Sequence, residues 1–384
     1  MKKILILTEF FPPNNSGVSL SVNRFVALLR QKGHKNISVA AIEPLTEEYP
    51  YPQYRKEAVD GITVWHLYAG TGRPLTKAED IRVCEYMVKD IIAQNLIDAI
   101  HAYNIFNAGY IAYRINQECN IPYILSIRGN DLTRKLYSYG EIYPQSLIIR
   151  KAQAITCVNG FLLNCLLQNF PEVSGKSDAV YNSIVPEEEW LIYRNQRSEL
   201  KKRYQVQDKF VFTYIGEVKE KKQTMMLADA FRRFNNRYPD TVSYIVGYVY
   251  HEEREMLDKL LKQCRNILYV PKVTHEEVGR FYAISDAFVQ MSYDDGLPNA
   301  LLEAIYMQVP IIASTIFSDF LTHGEDALLA NPFSIQELSD NMFRLYSEPC
   351  LRERLAESAS QLLSGRLSTE NEYTSFTNIY DKIG

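Results

Sequence analysis

The chain of 384 residues is long enough for two domains, and its 46% hydrophobic and 23% charged residues exclude wholesale disorder. Its net charge of −4 provides no global basic field, so we expect no nucleic-acid partner. The six cysteines are scattered, without CxxC spacing or adjacent histidines, which predicts reduced thiols in a cytosolic protein and no bound metal.

The N-terminal run MKKILILTEFF imitates the start of a signal peptide. The apolar run stops at Thr8 and Glu9, however, and no small-residue cleavage site follows. We therefore predict a first buried β-strand over Ile4 to Leu7. Nowhere do eighteen apolar residues follow one another, so the sequence predicts no membrane-spanning helix. We expect a cytoplasmic protein, for which peripheral contact with the inner membrane surface stays open.

The first half alternates short apolar runs with longer amphipathic stretches. A loop from Pro12 to Gly17 leads into a predicted helix over Ser19 to Lys32, and a strand is predicted over Ile37 to Ile42. This β-loop-α-β order implies a parallel sheet covered on both faces. Further strands are predicted over Thr63 to Leu67, Ala99 to Ala102, Tyr123 to Ile127, Ala154 to Val158 and Asp178 to Tyr181.

The same alternation restarts after a polar, charged stretch from Pro186 to Arg203. Two βα-type halves predict an α/β protein of two doubly wound domains facing a cleft. We place the domains at residues 1–190 and 191–365, and expect a C-terminal helix over 366–384 to pack back on the first half. The strands predicted in the second half are Phe210 to Gly216, Ser243 to Val246, Ile267 to Val270, Ala287 to Val289 and Pro310 to Ser314.

The segment SYDDGLPNALLE carries the strongest chemical signal. Asp294 and Asp295 are predicted to end a strand, and Gly296 permits a tight turn. Pro298 suits the first turn of a helix, where its missing N–H costs nothing. The amides of Asn299 and of the next residue then lie at an exposed helix N-terminus, which attracts an anion such as phosphate.

Two carboxylates flank this turn. Asp295 lies on the predicted loop, and Glu303 lies more than a helical turn into the helix. Each carboxylate can accept hydrogen bonds from the hydroxyls of a different polyol group, within one ligand that also carries phosphate. A capped helix with two solvated acids explains the same residues equally well.

An acid, seven residues and a glutamate, with a Gly-x-Pro-Asn turn between them, resemble the E-x7-E motif of glycosyltransferase family 4. Here Asp295 stands where glutamate is usual. The resemblance implies the GT-B fold of two Rossmann-like domains, retaining chemistry and a nucleotide-sugar donor. It also implies that Asp295 holds hydroxyls of the donor sugar and Glu303 the nucleotide ribose. The other residues implied to line the donor site in this run are Gly296, Leu297, Pro298, Asn299 and Leu302.

The run GEVKEKK after the predicted strand at Phe210 resembles the family's diphosphate loop. Gly216 matches the strand-end glycine, and Lys222 matches a lysine that neutralises the donor diphosphate. Glu217 occupies the position of the family's arginine, which reverses the charge there. Lys219 and Lys221 are candidates to compensate. Without the resemblance, this run is typical of a solvated turn.

Three other positions match the donor side of the family. Gly247 matches a second strand-end glycine. Val270 and Pro271 stand where family members carry a glycine near the nucleotide base. Gly17 remains from a glycine pair beneath the diphosphate, and a glycine there lets the backbone approach a ligand closely.

The acceptor side resembles the family more loosely. IDAIHAY resembles a strand that often ends in His-x-His, and here it ends in His101 and Tyr103. ILSIRGND resembles a strand running into His-Gly-x-Asp, with Arg128 in place of the histidine and Asp131 retained. Arginine cannot act as a base at neutral pH, but it binds phosphate or sugar hydroxyls. The alternatives are an Arg128–Asp131 pair and a satisfied core histidine at His101.

A basic, aromatic stretch follows in the first half. It suits an acceptor or membrane headgroups, but it is also typical of an ordinary solvated helix face. Its residues are Arg134, Lys135, Tyr137, Tyr139 and Tyr143.

The sequence thus predicts a retaining hexosyltransferase that moves a sugar from a nucleoside diphosphate sugar to a hydroxyl acceptor, in glycan, polysaccharide or glycoconjugate biosynthesis. The donor nucleotide is UDP by default, and no metal or other cofactor is expected. Two alternatives remain: a non-catalytic GT-B partner that stabilises a true transferase, and another GT-B enzyme such as an epimerase or hydrolase. The residues assigned to catalysis are Asp295, Glu303, Arg128 and Lys222.

Overall fold

The computed structural model describes residues 2–9, 11–12, 17–70, 78–134, 136, 139–185, 187–271 and 273–383, with residues 139–143 described by their backbone alone. The chain divides into two compact units. The first comprises Met1–Asn182 with Thr369–Gly384, and the second comprises Ser183–Ser368. The divisions predicted from the sequence lie after residues 190 and 365.

The first unit is built on an eight-stranded sheet of order β3-β4-β2-β1-β5-β6-β7-β8, parallel throughout except for the antiparallel pair β3–β4. Its strands are β1 (Ile4–Thr8), β2 (Ile37–Glu43), β3 (Gln53–Val59), β4 (Ile62–Tyr68), β5 (Ala99–Tyr103), β6 (Tyr123–Ile127), β7 (Ala154–Cys157) and β8 (Ser177–Ala179). The helices that precede the second unit are α1 (Gly17–Gln31), α2 (Ala78–Asn95), α3 (Tyr110–Cys119), α4 (Asn130–Thr133), α5 (Tyr139–Lys151) and α6 (Gly160–Asn169).

The central strands β1, β5 and β6 are buried along their whole length, as expected for parallel strands with both faces covered. The strands predicted from the sequence of this half are all present. The sequence missed β3, because this edge strand is mostly exposed and polar and has no apolar run.

The second unit is built on a six-stranded parallel sheet of order β11-β10-β9-β12-β13-β14. Its strands are β9 (Phe210–Ile215), β10 (Thr241–Val246), β11 (Ile267–Val270), β12 (Ala287–Gln290), β13 (Ile311–Ser314) and β14 (Leu328–Ala330). Its helices are α7 (Glu188–Asn195), α8 (Arg197–Arg203), α9 (Thr224–Arg237), α10 (His251–Gln263), α11 (His275–Ile284), α12 (Asn299–Tyr306), α13 (Ile335–Ser347) and α14 (Pro349–Gln361).

Each sheet has a topological switch point. In the first, β1 and β5 are neighbours, and the chain continues from them to opposite sides of the sheet. In the second, β9 and β12 are neighbours, and β9 continues to β10 whereas β12 continues to β13. The loops that leave such neighbouring strands diverge at their carboxyl ends and open a crevice where doubly wound sheets bind ligands.

The last helix, α15 (Thr369–Lys382), completes the first unit. Phe376 is buried in that unit's core, with its ring 4.4 Å from the ring of Phe25 on α1. Arg24 of α1 donates to Glu372 of α15 at 2.8 Å. Within the described residues, no helix has both the length and the hydropathy that crossing a bilayer requires.

The structure corrects one local prediction. Asp294 and Asp295 do not end a strand, because β12 already stops at Gln290. Beyond it, the N–H of Tyr293 donates to the carbonyl of Lys221 at 3.0 Å, in the loop that follows β9. The acidic pair therefore lies on a loop between β12 and α12.

Candidate donor site

The loops that follow β9 and β12 meet at the switch point of the second sheet. The ammonium group of Lys222 is paired with the Asp295 carboxylate, and Lys221 Nζ lies 3.9 Å from Asp295 Oδ1. The backbone bond from Tyr293 to Lys221 holds the two loops together. Lys222 and Asp295, predicted from separate segments, are thus direct neighbours.

Asp295 is mostly buried, with 13% of its side chain exposed. Its carboxylate accepts from Ser292 Oγ and from the N–H of Gly296, each at 3.1 Å. Burial alone would raise the pKa of Asp295, but the ammonium groups of Lys222 and Lys221 outweigh it and hold the pKa below its usual value. Asp295 is therefore an ionised acceptor at neutral pH.

Glu303 lies in α12 with only 8% of its side chain exposed. Tyr282 Oη donates to Glu303 Oε2 at 2.7 Å, and His275 Nε2 lies 3.1 Å from Oε1. The other ring nitrogen of His275, Nδ1, lies 3.0 Å from Glu187 Oε1. The hydrogen bond to Glu303, followed by its charge and then by Glu187, raises the pKa of His275 to about 9.

The sequence did not predict the two partners of Glu303, nor Glu187, which contacts His275. Tyr282 and His275 come from α11, and Glu187 precedes α7, 88 residues before His275 in the chain. The Thr274-x-x-Glu277 capping box does mark the start of α11 in the sequence. No spacing rule, however, connects that helix start with Glu303.

The two strand-end glycines approach each other closely. Gly216 has φ +150° and Gly247 has φ +141°, a region that favours glycine. A Cβ on Gly247 would lie 2.0 Å from the carbonyl oxygen of Gly216. Glycine at position 247 is therefore a steric requirement of the fold at the edge that carries the site.

Glu217, which occupies the family's arginine position, is paired with Lys219. Tyr250 Oη also donates to Glu217 Oε1 at 3.3 Å. Burial acts to raise the pKa of Glu217, but Lys219 and its other partners hold it below its usual value. Lys219 is thus paired directly with the reversed charge, and Lys222, which is paired with Asp295, also acts on Glu217 through its charge.

The other donor-side positions lie around this edge. Val270 ends β11 half-buried, and Pro271 after it is exposed, while Lys272 lies outside the described residues. Pro298 precedes α12 and provides no side-chain cap for it, and Asn299 is the first residue of the helix. Leu297 and Leu302 are buried and pack in the interior of the unit.

His101 lies fully buried in β5. Its Nδ1 is 2.7 Å from Tyr380 Oη of α15, and its Nε2 is 2.7 Å from Ser126 Oγ of β6. Burial lowers the pKa of His101 to about 3, so the ring is neutral. These contacts favour the interpretation of His101 as a core histidine over a role at the acceptor.

Arg128 follows β6 and lies with its guanidinium carbon 5.2 Å from the ring centroid of Tyr103, which ends β5. Its Nη2 donates to Asn182 Oδ1 at 2.7 Å. Burial lowers the pKa of Arg128. The guanidinium of Arg128 therefore contacts an amide and an aromatic ring, and it is the backbone N–H of Arg128 that bonds the carboxylate of Asp131.

The Asp131 carboxylate binds backbone N–H groups of two segments, its own loop after β6 and the segment after β5. Its buried carboxylate accepts from the N–H groups of Ile105, Arg128 and Gly129 at 3.2, 3.1 and 2.8 Å. Burial raises the pKa of Asp131 to about 6, although those hydrogen bonds act to lower it. This arrangement shapes the loop after β6.

The remaining predictions for the first unit concern Gly17 and the basic, aromatic stretch that follows Asp131. Gly17 is the exposed first residue of α1, and its carbonyl accepts from Ser21 Oγ at 2.9 Å. Arg134 is exposed. Lys135 and Tyr137, and the side chains of Tyr139 and Tyr143, lie outside the described residues. In the described part of the chain, no group of three or more His, Cys, Asp or Glu residues could hold a metal ion.

Comparison with known proteins connects this geometry to a family. Residues 196–362 match the family described as Glycosyl transferases group 1. The chain is 22% identical to the alpha-monoglucosyldiacylglycerol synthase of Acholeplasma laidlawii, over 93% of this chain and 91% of that protein. It is 26% identical to the alpha-D-kanosaminyltransferase of Streptomyces kanamyceticus, but over only 49% of this chain and half the length of that relative.

Solved structures match along the whole chain. Sucrose-phosphate synthase from Thermosynechococcus elongatus superimposes with a TM-score of 0.80 at 15% identity, over 100% of this chain and 99% of that one. Anabaena HepE in complex with UDP and glucose superimposes with a TM-score of 0.77 at 15% identity, over the full length of both. The whole chain has the GT-B fold. Residues 196–362 thus match the group 1 glycosyl transferases, within a chain whose fold is that of the GT-B enzymes along its whole length.

Proposed function

We propose that this protein is a retaining transferase of the family 4 type, which moves a hexosyl group from a UDP-sugar to a hydroxyl acceptor. One observation carries the proposal: the Lys222–Asp295 pair, with Lys221 beside it, lies at the switch point between β9 and β12. HepE, which shares the fold, was solved with UDP and glucose, and this supports UDP as the donor nucleotide.

In the proposed complex, the donor exchanges partners with the ion pair. The diphosphate takes the ammonium groups of Lys221 and Lys222, together with the first turn of α12, where the helix dipole favours an anion. The hydroxyls of the donor sugar take the Asp295 carboxylate that those lysines release. The ribose takes the carboxylate of Glu303.

The proposed reaction proceeds on one face of the sugar. The bond between the anomeric carbon and the diphosphate oxygen breaks, and UDP departs with the bonding electron pair. A bond forms between the acceptor oxygen and the same carbon, and the acceptor proton passes to the leaving phosphate oxygen. The protein's main contribution is electrostatic stabilisation of that leaving group. This scheme needs neither a side-chain base at Arg128 nor a metal, since the lysines neutralise the diphosphate.

We propose that the acceptor is a glycan, a lipid-linked compound or a small molecule, and that Tyr103 and Arg128 lie on its side of the reaction. The relatives support this range, because their names include a diacylglycerol glycoside synthase and a kanosaminyltransferase. We place the reaction in the cytoplasm, with peripheral contact at the inner membrane surface for a lipid-linked acceptor.

Nucleotide binding tests the proposal. Calorimetry against UDP, GDP, ADP and TDP and their sugars should find UDP binding to the wild-type protein. Glu303→Ala should weaken that binding at least about tenfold, because the ribose loses a charged hydrogen-bond acceptor. Glu276→Ala, which alters an exposed residue beside His275, is the matched control and should bind UDP normally.

Two outcomes would contradict the proposal. A folded protein that binds none of these nucleotides would favour the non-catalytic partner. A product whose anomeric configuration, read by NMR, is inverted relative to the donor would exclude the retaining mechanism. Melting curves of both variants must accompany the titrations, since bound ligand also raises the melting temperature.

A further inference from the structure

His275 lies between two carboxylates. Its Nε2 is 3.1 Å from Glu303 Oε1, and its Nδ1 is 3.0 Å from Glu187 Oε1. A carboxylate accepts hydrogen bonds, and a neutral imidazole has only one N–H to donate. Both contacts are satisfied together only by the doubly protonated, cationic ring.

The surroundings hold this ring in place. His275 is the first residue of α11, whose preceding residue Thr274 forms a capping box with Glu277. The ring centroid of His275 lies 5.0 Å from that of Trp190, which is fully buried. A cation is unfavourable at a helix N-terminus. The charge at this position therefore serves the two carboxylates rather than the stability of α11.

The acceptor sites of Glu303 can be counted. An ionised carboxylate offers roughly four lone-pair sites, two on each oxygen. Tyr282 takes one on Oε2, and His275 takes one on Oε1. One site remains on each oxygen, and this pair matches the two neighbouring hydroxyls of a ribose.

We infer that His275 is a positioning residue that holds the Glu303 carboxylate turned so that its two remaining acceptor sites face the ribose of the donor. The inference rests on the proposed function, in which Glu303 holds that ribose. His275 itself does not touch the donor; it acts through Glu303.

If the cationic ring of His275 orients Glu303, donor binding depends on pH through the titration of that ring. The charged groups that face His275 are Glu303 from α12 and Glu187 from the segment before α7, and Tyr282 of its own helix bonds the second oxygen of Glu303. These carboxylates raise the pKa of His275 from 6.5 to about 9. The cation is thus present at neutral pH and is lost as the pH rises through about 9. Its support of Glu303 should disappear over the same range.

The experiment measures the UDP dissociation constant of wild-type protein and His275→Gln from pH 7 to pH 10. Glutamine retains a donor toward Glu303 but carries no charge. We expect the variant to bind UDP about tenfold more weakly at pH 7, the usual loss for a charged hydrogen-bond partner. We expect this ratio to close towards one as the pH rises through about 9. Using the ratio cancels the titration of the uracil ring and of Lys221, which both proteins share.

A second variant removes the outer carboxylate. Glu187→Gln changes a half-exposed side chain, so we expect it to fold. Without Glu187 the pKa of His275 is less raised, and the fall in UDP affinity should begin at a lower pH than in the wild-type protein. A merely structural role for His275 would not produce that displacement. Glu276→Gln, on the exposed side of the same helix turn, should behave as wild type.

The outcomes separate the inference from the proposed function. Wild-type protein that binds no UDP at any pH overturns the proposed function, and the inference with it. UDP binding with a His275→Gln ratio that stays constant from pH 7 to pH 10 overturns the inference alone. If His275→Gln does not fold, an unchanged pH profile in Glu187→Gln overturns the inference.

Discussion

At the residue scale, the two carboxylates of the candidate site are neutralised in different ways. Asp295 is balanced by Lys222 and Lys221, which are the cations that a diphosphate would also use. The charge of Glu303 is balanced by His275, and neither His275 nor Tyr282 belongs to the loop after β9. In the proposed complex, the donor therefore displaces an ion pair at Asp295, whereas the contacts that orient Glu303 are already present without it.

The glycine at position 247 yields a prediction at the same scale. In Gly247→Ala, the new Cβ would lie 2.0 Å from the Gly216 carbonyl oxygen, at a φ of +141° that alanine rarely adopts. We expect the free energy of unfolding of the second unit to fall by about 2–4 kcal/mol. Urea unfolding followed by the fluorescence of Trp190, in a Trp65→Phe background, measures it, since these are the chain's two tryptophans.

Gly175→Ala is the control for this prediction, followed through Trp65 in a Trp190→Phe background because Gly175 belongs to the first unit. Its Cβ would meet nothing within 4 Å, and its φ lies outside the positive range that favours glycine. The free energy of unfolding should change by no more than about 0.5 kcal/mol. Equal effects of the two substitutions would mean that the close approach of Gly247 to Gly216 does not constrain the fold.

At the scale of elements, the site depends on two loops that leave neighbouring strands. The loop after β9 brings Lys222, and the loop after β12 brings Asp295. Each loop follows a strand that the sequence predicts, because both strands are short apolar runs. Their meeting follows from the strand order, which places β9 beside β12 although 71 residues separate their end and start.

A double-mutant cycle tests this connection. Lys222→Met should destabilise the protein, because it leaves a mostly buried carboxylate with a weaker counter-charge. Asp295→Asn added to Lys222→Met should recover part of the loss, with a coupling of about 1–3 kcal/mol. The more exposed Lys219–Glu217 pair is the control, and its coupling should stay within about 1 kcal/mol. Additive effects of Lys222→Met and Asp295→Asn would show that the loops are not coupled through this pair.

At the scale of the whole molecule, the chain returns to its first unit for its last helix. Phe376 of α15 is 1% exposed and packs on Phe25 of α1, and Tyr380 bonds the buried His101. The first unit therefore cannot complete its core until the final segment of the chain is present.

Phe376→Ala should therefore destabilise the first unit by about 3–5 kcal/mol, the cost of a cavity where a buried ring was. Unfolding followed by Trp65 in β4, in a Trp190→Phe background, reads this unit. Asn378→Ala, an exposed position on the same helix, should change the unfolding free energy by no more than about 0.5 kcal/mol. A small effect of Phe376→Ala would mean that α15 contributes little to the core.

The sequence alone determined the alternation of strands and helices, because parallel strands covered on both faces appear as short apolar runs between amphipathic stretches. It missed β3, whose exposed edge position leaves no such run, and β14, which is only three residues long. It also predicted Lys222, Asp295 and Glu303 as site residues, because their motif is local or resembles that of a family. The tertiary structure alone brought Lys222 to Asp295, His275 and Tyr282 to Glu303, and Glu187 to His275. Those neighbours depend on strand order and helix packing between distant segments, which no residue spacing along the chain encodes.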